Sequence, residues 1–353
     1  MMQINFKFPS NRLLLSLFFC GSAVILLQNY NISDNTSFLF NLICLVVGLV
    51  LCCIVFIPSM VLKRKYNLDF VMLTRRKTPR VYYLIMAFYS AYAVYTAEYF
   101  LLRYTDMFHD KYFSDAGVNV IAFIMIAICF YGACRGVNII TRFGIILFAF
   151  ALLCYILIFS GGVQSLDFEL HHFDFSGSAI GFISNTTFFI TPSFIAVIFA
   201  ILSGYSENFK SRQIFVTLIS LAVEFAAFLF FVSFALGAYA DSQSYQTFLM
   251  SKISQISGLS GIESFYFALT TLSVFMIITL LLCCINREMG ESKTILNVSV
   301  FSIVIFVLHI CASYLNSVGE ILTNPMLFNL FNIFAAFIIP GIYLLVFRRS
   351  ENA

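Results

Sequence analysis

Ten long apolar stretches, separated by short polar segments, follow one another along nearly the whole chain: 12–29, 38–62, 81–103, 116–134, 139–161, 178–203, 214–240, 263–286, 294–315 and 327–347. A hydrocarbon layer about 30 Å thick needs about 20 apolar residues in a helix, and each stretch meets that length. The pattern predicts an all-α integral membrane protein with ten transmembrane helices. No connecting segment is long enough for a separate domain. The largest are the basic loop from Lys63 to Arg80 and the segments around 162–177 and 241–262.

Charge supports the same count. Of the 20 Lys and Arg residues, all but Arg103, Lys111 and Lys252 fall on alternate connecting segments. By the positive-inside rule those segments and both termini are cytoplasmic, and the number of spans is even. A composition 61% hydrophobic and 10% charged, with a mean hydropathy of +0.95, lies far outside the soluble globular range. The net charge of +3 therefore reports orientation in a lipid bilayer and implies no nucleic acid partner. The ten cysteines sit in or beside apolar spans without C-x-x-C pairs or histidine partners, so they read as small core residues. With 44 Phe and no Trp, the interfacial belt falls to tyrosines such as Tyr82, Tyr83, Tyr99 and Tyr104. No small-x-small cleavage site precedes Asn29-Tyr30-Asn31, so the first apolar stretch reads as a retained helix.

Ten helices with both ends on one side divide into five plus five, with the second half entering from the opposite face. That is the topology of an inverted repeat of the leucine-transporter (LeuT) type, with a first repeat at about 12–161 and a second at about 178–347, in one polytopic domain. The first helix of each half is then expected to be broken near the midplane. Span one carries Cys20-Gly21-Ser22-Ala23, and span six carries Ser184-Asn185-Thr186-Thr187 followed by Thr191-Pro192-Ser193. Glycine permits unusual backbone angles, and Asn, Ser and Thr replace lost helical hydrogen bonds. In span one the same small residues equally suit close helix packing.

Ionisable groups inside spans are functional candidates by default. Glu224 lies near the midplane of span seven, as a coupling group or as a protonated acid bonded between helices. Glu98 and Arg103 lie near the outer end of span three, as an interfacial ion pair or a gate. His309 in span nine reads as a packing residue or a proton relay. His171-His172 with Asp167, Glu169 and Asp174 forms a solvated outer cluster, and no metal site is expected. Exposed amides at broken helices suit a carboxylate, while free carbonyls and the side chains of Ser22, Asn185 and Thr186 suit an ammonium group. Gly21, Ser22, Ala23, Asn185, Thr186 and Thr187 are accordingly the expected amino-acid pocket, with Thr270 and Thr271 as further candidates.

The segment Tyr131-Gly132-Ala133-Cys134-Arg135-Gly136-Val137-Asn138-Ile139-Ile140-Thr141-Arg142 resembles the junction of the fourth and fifth helices of the spore germination permeases, the GerAB-type B subunits of germinant receptors. Phe19 to Leu26 resembles that family's first-helix glycine motif, Leu101 to Phe108 its third-helix end, and Phe188 to Phe194 its sixth helix. Gly136 and Arg142 carry the resemblance best. The chain departs from the family in lacking a proline in Ser165 to His172 and a Trp at the start of span eight, positions that bear on ligand specificity.

The resemblance implies membership of the amino acid, polyamine and organocation superfamily, and a place in the inner membrane of an endospore or the bacterial cell membrane. It further implies binding of a small nutrient germinant such as an amino acid. The companions would be a multi-pass A subunit and a lipoprotein C subunit, with no cofactor and no enzymatic activity. It also implies that Arg142 holds the turn at 135–142 rigid. The alternatives are a proton- or sodium-coupled amino acid transporter using Glu224, and a membrane-embedded polymerase or acyltransferase, which short outer loops disfavour.

Overall fold

In hydrocarbon a backbone amide has no water to bond, so a long apolar segment satisfies its polar groups by coiling into a helix. The computed structural model describes residues 7–27, 37–66, 68–111, 117–167, 177–237, 239, 245–254, 262–290 and 293–351. Among them, nine helices are long and apolar enough to cross a membrane. The chain is an all-α, multi-pass membrane protein.

The helices are α1 (Ser10–Leu27), α2 (Phe38–Tyr66), α3 (Phe70–Lys77), α4 (Pro79–Lys111), α5 (Val118–Arg135), α6 (Val137–Gly162), α7 (Ala179–Ile190) and α8 (Ile195–Leu202). They continue as α9 (Ser211–Leu236), α10 (Gln246–Ile253), α11 (Ile262–Met289), α12 (Thr294–Tyr314), α13 (Asn316–Leu322), α14 (Pro325–Ile333) and α15 (Ile339–Glu351). Two short strands, β1 (Phe8–Pro9) and β2 (Ser206–Glu207), pair in parallel with Phe8 opposite Ser206.

The helices form an inner and an outer group. In the hydrophobic windows of α1, α11 and the Ala179–Tyr205 segment, 83%, 78% and 83% of residues are buried, against 28–39% for α5, α6, α9 and α12. The outer helices present Ile128, Ile146, Ile156, Val223 and Ile303 as exposed apolar side chains, the surface a lipid environment requires. The carbonyls at the end of α1 are met from neighbouring helices: Thr247 of α10 donates to Ile25 O at 3.1 Å and Tyr266 of α11 to Leu26 O at 2.5 Å.

The basic segments converge at one end of the bundle. There β1 pairs with β2, Asp69 meets Arg287 at 2.9 Å, and Gln213 donates to Asn11. A cleft also brings Phe8, Arg135, Gly136, Tyr205 and Thr294 together there. At the opposite end Arg103 donates to Thr323 O at 2.8 Å and Lys111 lies over the Tyr245 ring. The sorting of charge along the sequence is thus a sorting in space. The 33-residue α4, too polar to rank with the nine, passes from Tyr82, which donates to Glu288 O at the basic end, to Arg103 at the other.

Three expectations need correction. Helix α1 is continuous through Cys20–Ala23. It contains no proline, so none of its amides is lost to a ring, and Gly21 serves instead to admit α9: a Cβ there would lie 2.6 Å from Leu221 Cδ1. Span six is interrupted at the Thr191-Pro192-Ser193 part of the expected stretch, by a 3₁₀ turn at Thr191–Phe194, while Ser184 to Thr187 sit in regular α-helix. Pro192 has no N–H to donate, which locates the interruption. The other interrupted span is the last, with a π turn at Phe334–Ile338 just ahead of Pro340. Of the tyrosines expected at the membrane interface, Tyr83 is exposed, whereas Tyr99 and Tyr104 are buried.

Candidate functional site

Beyond its first turn α9 carries one ionisable side chain, Glu224, and the packing turns that residue inward. Glu224 is 6% exposed. Its Oε2 accepts from Ser22 Oγ of α1 at 2.7 Å, and its Oε1 from Tyr155 Oη of α6 at 2.5 Å. Ser22 is fully buried, and the Tyr155 ring packs edge-on against Phe228, so this carboxyl group sits in an apolar shell with two hydroxyl partners.

The geometry suits both protonation states. With Glu224 ionised, both hydroxyls donate to it. With Glu224 protonated at Oε2, the acid donates to Ser22 Oγ, whose own hydrogen turns to Phe18 O at 3.1 Å. A group that keeps its hydrogen bonds on gaining or losing a proton can exchange that proton without leaving a buried partner stranded.

A second buried pair joins α4 to α12. His309 Nδ1 lies 3.0 Å from Glu98 Oε1 and both side chains are fully buried, while Glu98 Oε2 and His309 Nε2 have no hydrogen-bond partner. Arg103 does not pair with Glu98. Five residues turn a helix by roughly 140° past a full turn, so Arg103 faces another neighbour. It donates to Thr323 O and stacks over the Tyr99 ring at 4.9 Å.

The expected amino-acid pocket does not form as one unit. Ser22 belongs to the Glu224 cluster, whereas Asn185 of α7 donates to Asn41 Oδ1 of α2 at 2.6 Å. Thr187 donates back to Ile183 O of its own helix, and Thr186 and Ala23 are buried. The span-six interruption is bonded to the last span: Asn329 donates to Thr187 O at 2.8 Å and to Thr191 Oγ1 at 3.0 Å. Asn332 Oδ1 in turn accepts from Tyr92 at 2.6 Å. Thr270 and Thr271 donate to Tyr266 O and Phe267 O within α11, apart from both networks.

Gly136 separates α5 from α6 with φ of +86°, a backbone conformation that favours glycine, and its N–H bonds Ala133 O. The turn's shape thus comes from Gly136. Arg142 is exposed, and it is Arg135 that contacts the turn region, through the hydroxyl and ring of Tyr131. The histidines of the outer cluster, with Glu169 and Asp174, lie outside the described residues. Asp167 is described, and its N–H bonds Phe234 O. Among the described residues no group of three His, Cys, Asp or Glu side chains is placed to hold a metal.

Reading the sequence missed a buried ion pair. Asp69 caps α3 by accepting from Met72 N at 2.6 Å and pairs with Arg287 of α11, both groups buried and the guanidinium 4.4 Å over the Tyr205 ring. An aspartate directly before the short apolar run Phe70-Val71-Met72-Leu73 is a helix-start signal that could have pointed to Asp69. Glu288 was missed as well. It is 4% exposed, and its Oε2 accepts from Ser90 at 2.7 Å. No family model matches the chain, and no curated protein matches it significantly.

Proposed function

We propose that the chain is a ten-span, spore-germination-permease-like subunit that binds a small nutrient, an amino acid, and passes a conformational signal to companion membrane subunits. In this reading α4 is the tenth crossing, both termini are cytoplasmic, and the two halves of the chain form an inverted repeat. The observation that carries it is the Ser22–Glu224–Tyr155 cluster, in which a buried carboxyl group of the second half is held by hydroxyls of the first. An ammonium group competes with those hydroxyls for Glu224. Because all three side chains are buried, admitting it requires the halves to shift, which converts binding into movement. The motif resemblance around Gly136 and Arg142 supports the same family and membrane.

Deleting the gene tests the reading. In spores of the parent organism, loss of the chain should abolish dipicolinate release in response to one class of nutrient while leaving the response to non-nutrient triggers intact. Spores that respond normally to every nutrient would sink it.

The buried Glu98–His309 pair favours a second reading, a proton-coupled amino acid transporter, since its unpartnered nitrogen and oxygen offer places for a proton. Amino acid uptake into proteoliposomes driven by a pH gradient would favour that reading.

A further inference from the structure

At the basic end, α3, the start of α4 and the last turn of α11 enclose a cleft of about 720 Å³ lined by residues including Arg75, Tyr82, Tyr83, Met86, Arg287 and Glu288. We infer that this cleft binds an ammonium-and-phosphate headgroup, the phosphoethanolamine group of a bilayer lipid.

Arg287 is already matched by Asp69, so the pair is neutral. Glu288 is the additional acid. Its Oε2 takes the hydrogen of Ser90, while its Oε1 has no partner, although the side chain is 4% exposed and lines the cleft. A carboxylate removed from water without a counter-charge is costly, and a donor that brings positive charge relieves that cost. Tyr82 does not supply it, because its hydroxyl donates to the Glu288 backbone carbonyl at 2.9 Å. A primary ammonium group fits: it carries the charge and three N–H donors, one of which satisfies Oε1.

The mouth of the cleft calls for the opposite charge. Arg75 is exposed in the last turn of α3, beside exposed Arg76 and Lys77. A guanidinium there takes a phosphate. The position of the mouth selects a lipid as the carrier. Tyr83 and Leu84 are 78% and 71% exposed, and Ala87 is exposed one turn further on, so this face of α4 is apolar and open. Arg80 lies one turn back towards the basic end. The change from exposed apolar to exposed basic residues marks the membrane boundary, where headgroup phosphates meet Arg and Lys. Acyl chains would lie along Leu84 and Ala87, with the headgroup reaching inward to Glu288. A choline headgroup satisfies the phosphate but has no N–H to donate to Oε1, so the site discriminates between the two. The inference requires only that the chain sit in a bilayer and does not depend on the nutrient reading.

The test is lipid retention on the purified full-length protein in mild detergent, followed by native mass spectrometry with phosphatidylethanolamine and phosphatidylcholine of matched chains. The wild type should prefer phosphatidylethanolamine about tenfold, the size of one charge-assisted hydrogen bond. Glu288→Gln, which keeps shape and burial, should bring that preference close to one. Arg75→Ala, at an exposed position, should weaken both lipids alike and preserve the preference. Equal retention of the two lipids by the wild type, or an unchanged preference in Glu288→Gln, would overturn the proposal. Free O-phosphoethanolamine is the remaining arm: if it displaces the lipid at equal concentration the carrier is a soluble molecule and the lipid assignment fails, whereas a lipid that resists displacement supports it.

Discussion

Asp69→Ala is expected to destabilise the folded protein by about 3–5 kcal/mol, because it leaves the buried Arg287 guanidinium without its counter-charge. The substitution also removes the side chain that caps α3 through Met72 N, a further loss of about 1 kcal/mol. Arg287 cannot shed its proton to relieve the strain, since a guanidinium stays charged at any ordinary pH. Asp69→Asn separates the two contributions. It keeps a capping oxygen but not the charge, so it should recover only about 1 kcal/mol of the loss. Reversible unfolding in mixed detergent, followed by helical circular dichroism, reads both variants. The effect should reach beyond α3, because Asp69 ties the loop between α2 and α4 to α11, one of the most buried helices in the bundle. A loss below about 1 kcal/mol for the alanine variant would show that Arg287 reaches water and that the contact is an ordinary surface pair.

Glu224→Leu is expected to cost about 1–3 kcal/mol, the effect of stranding the buried Tyr155 hydroxyl, since the Ser22 hydroxyl turns its hydrogen to Phe18 O. Volume does not explain the loss, since leucine fills a similar space. Glu224→Gln should cost under about 1 kcal/mol, because its carbonyl oxygen still accepts one hydroxyl and its amide donates to the other. The ordering of the two variants is therefore the diagnostic. Pairing Glu224→Leu with Tyr155→Phe sharpens it: with the stranded hydroxyl removed, the double variant should be less destabilised than the sum of the singles, by about 1–3 kcal/mol. Strict additivity would mean that the Tyr155 hydroxyl finds another partner. The stability result is independent of ligand, and it separates the structural role of the cluster from its role in binding.

Reading the sequence alone recovered what depends on one helix at a time. Hydrophobic length located nine of the ten expected spans, and the alternation of Lys and Arg separated the basic end of the bundle from the other. Glu224 stood out because a carboxyl group in an apolar run is costly wherever it points. What the sequence did not reveal is which helices face each other. Gly21 and Ser22 look the same in a broken helix as in a close helix crossing, and only the position of Leu221 decides between them. The Asn185 to Thr187 run reads as a ligand cradle until Asn185 is seen to bond Asn41 of α2 and Thr187 its own helix. Asn329 and Asn332 were passed over in the last span, although they hold the interruption at Thr191. Glu98 found His309, 211 residues away, in preference to the nearby Arg103, because helix geometry turned Arg103 to a different neighbour.

The central claim is that Glu224, held between the two halves, receives the ammonium group of a small nutrient. Thermal unfolding of the purified protein in nanodiscs against a panel of amino acids, sugars and nucleosides tests it most directly, with wild type and Glu224→Gln measured side by side. Ligand at 100 times its Kd adds about 2.7 kcal/mol of stability, enough to raise Tm by several degrees. The account predicts that one amino acid produces that rise in the wild type, and that the rise disappears in Glu224→Gln although the variant unfolds at nearly the wild-type temperature without ligand. A rise of equal size in both proteins, or stabilisation only by compounds that lack an ammonium group, would contradict it.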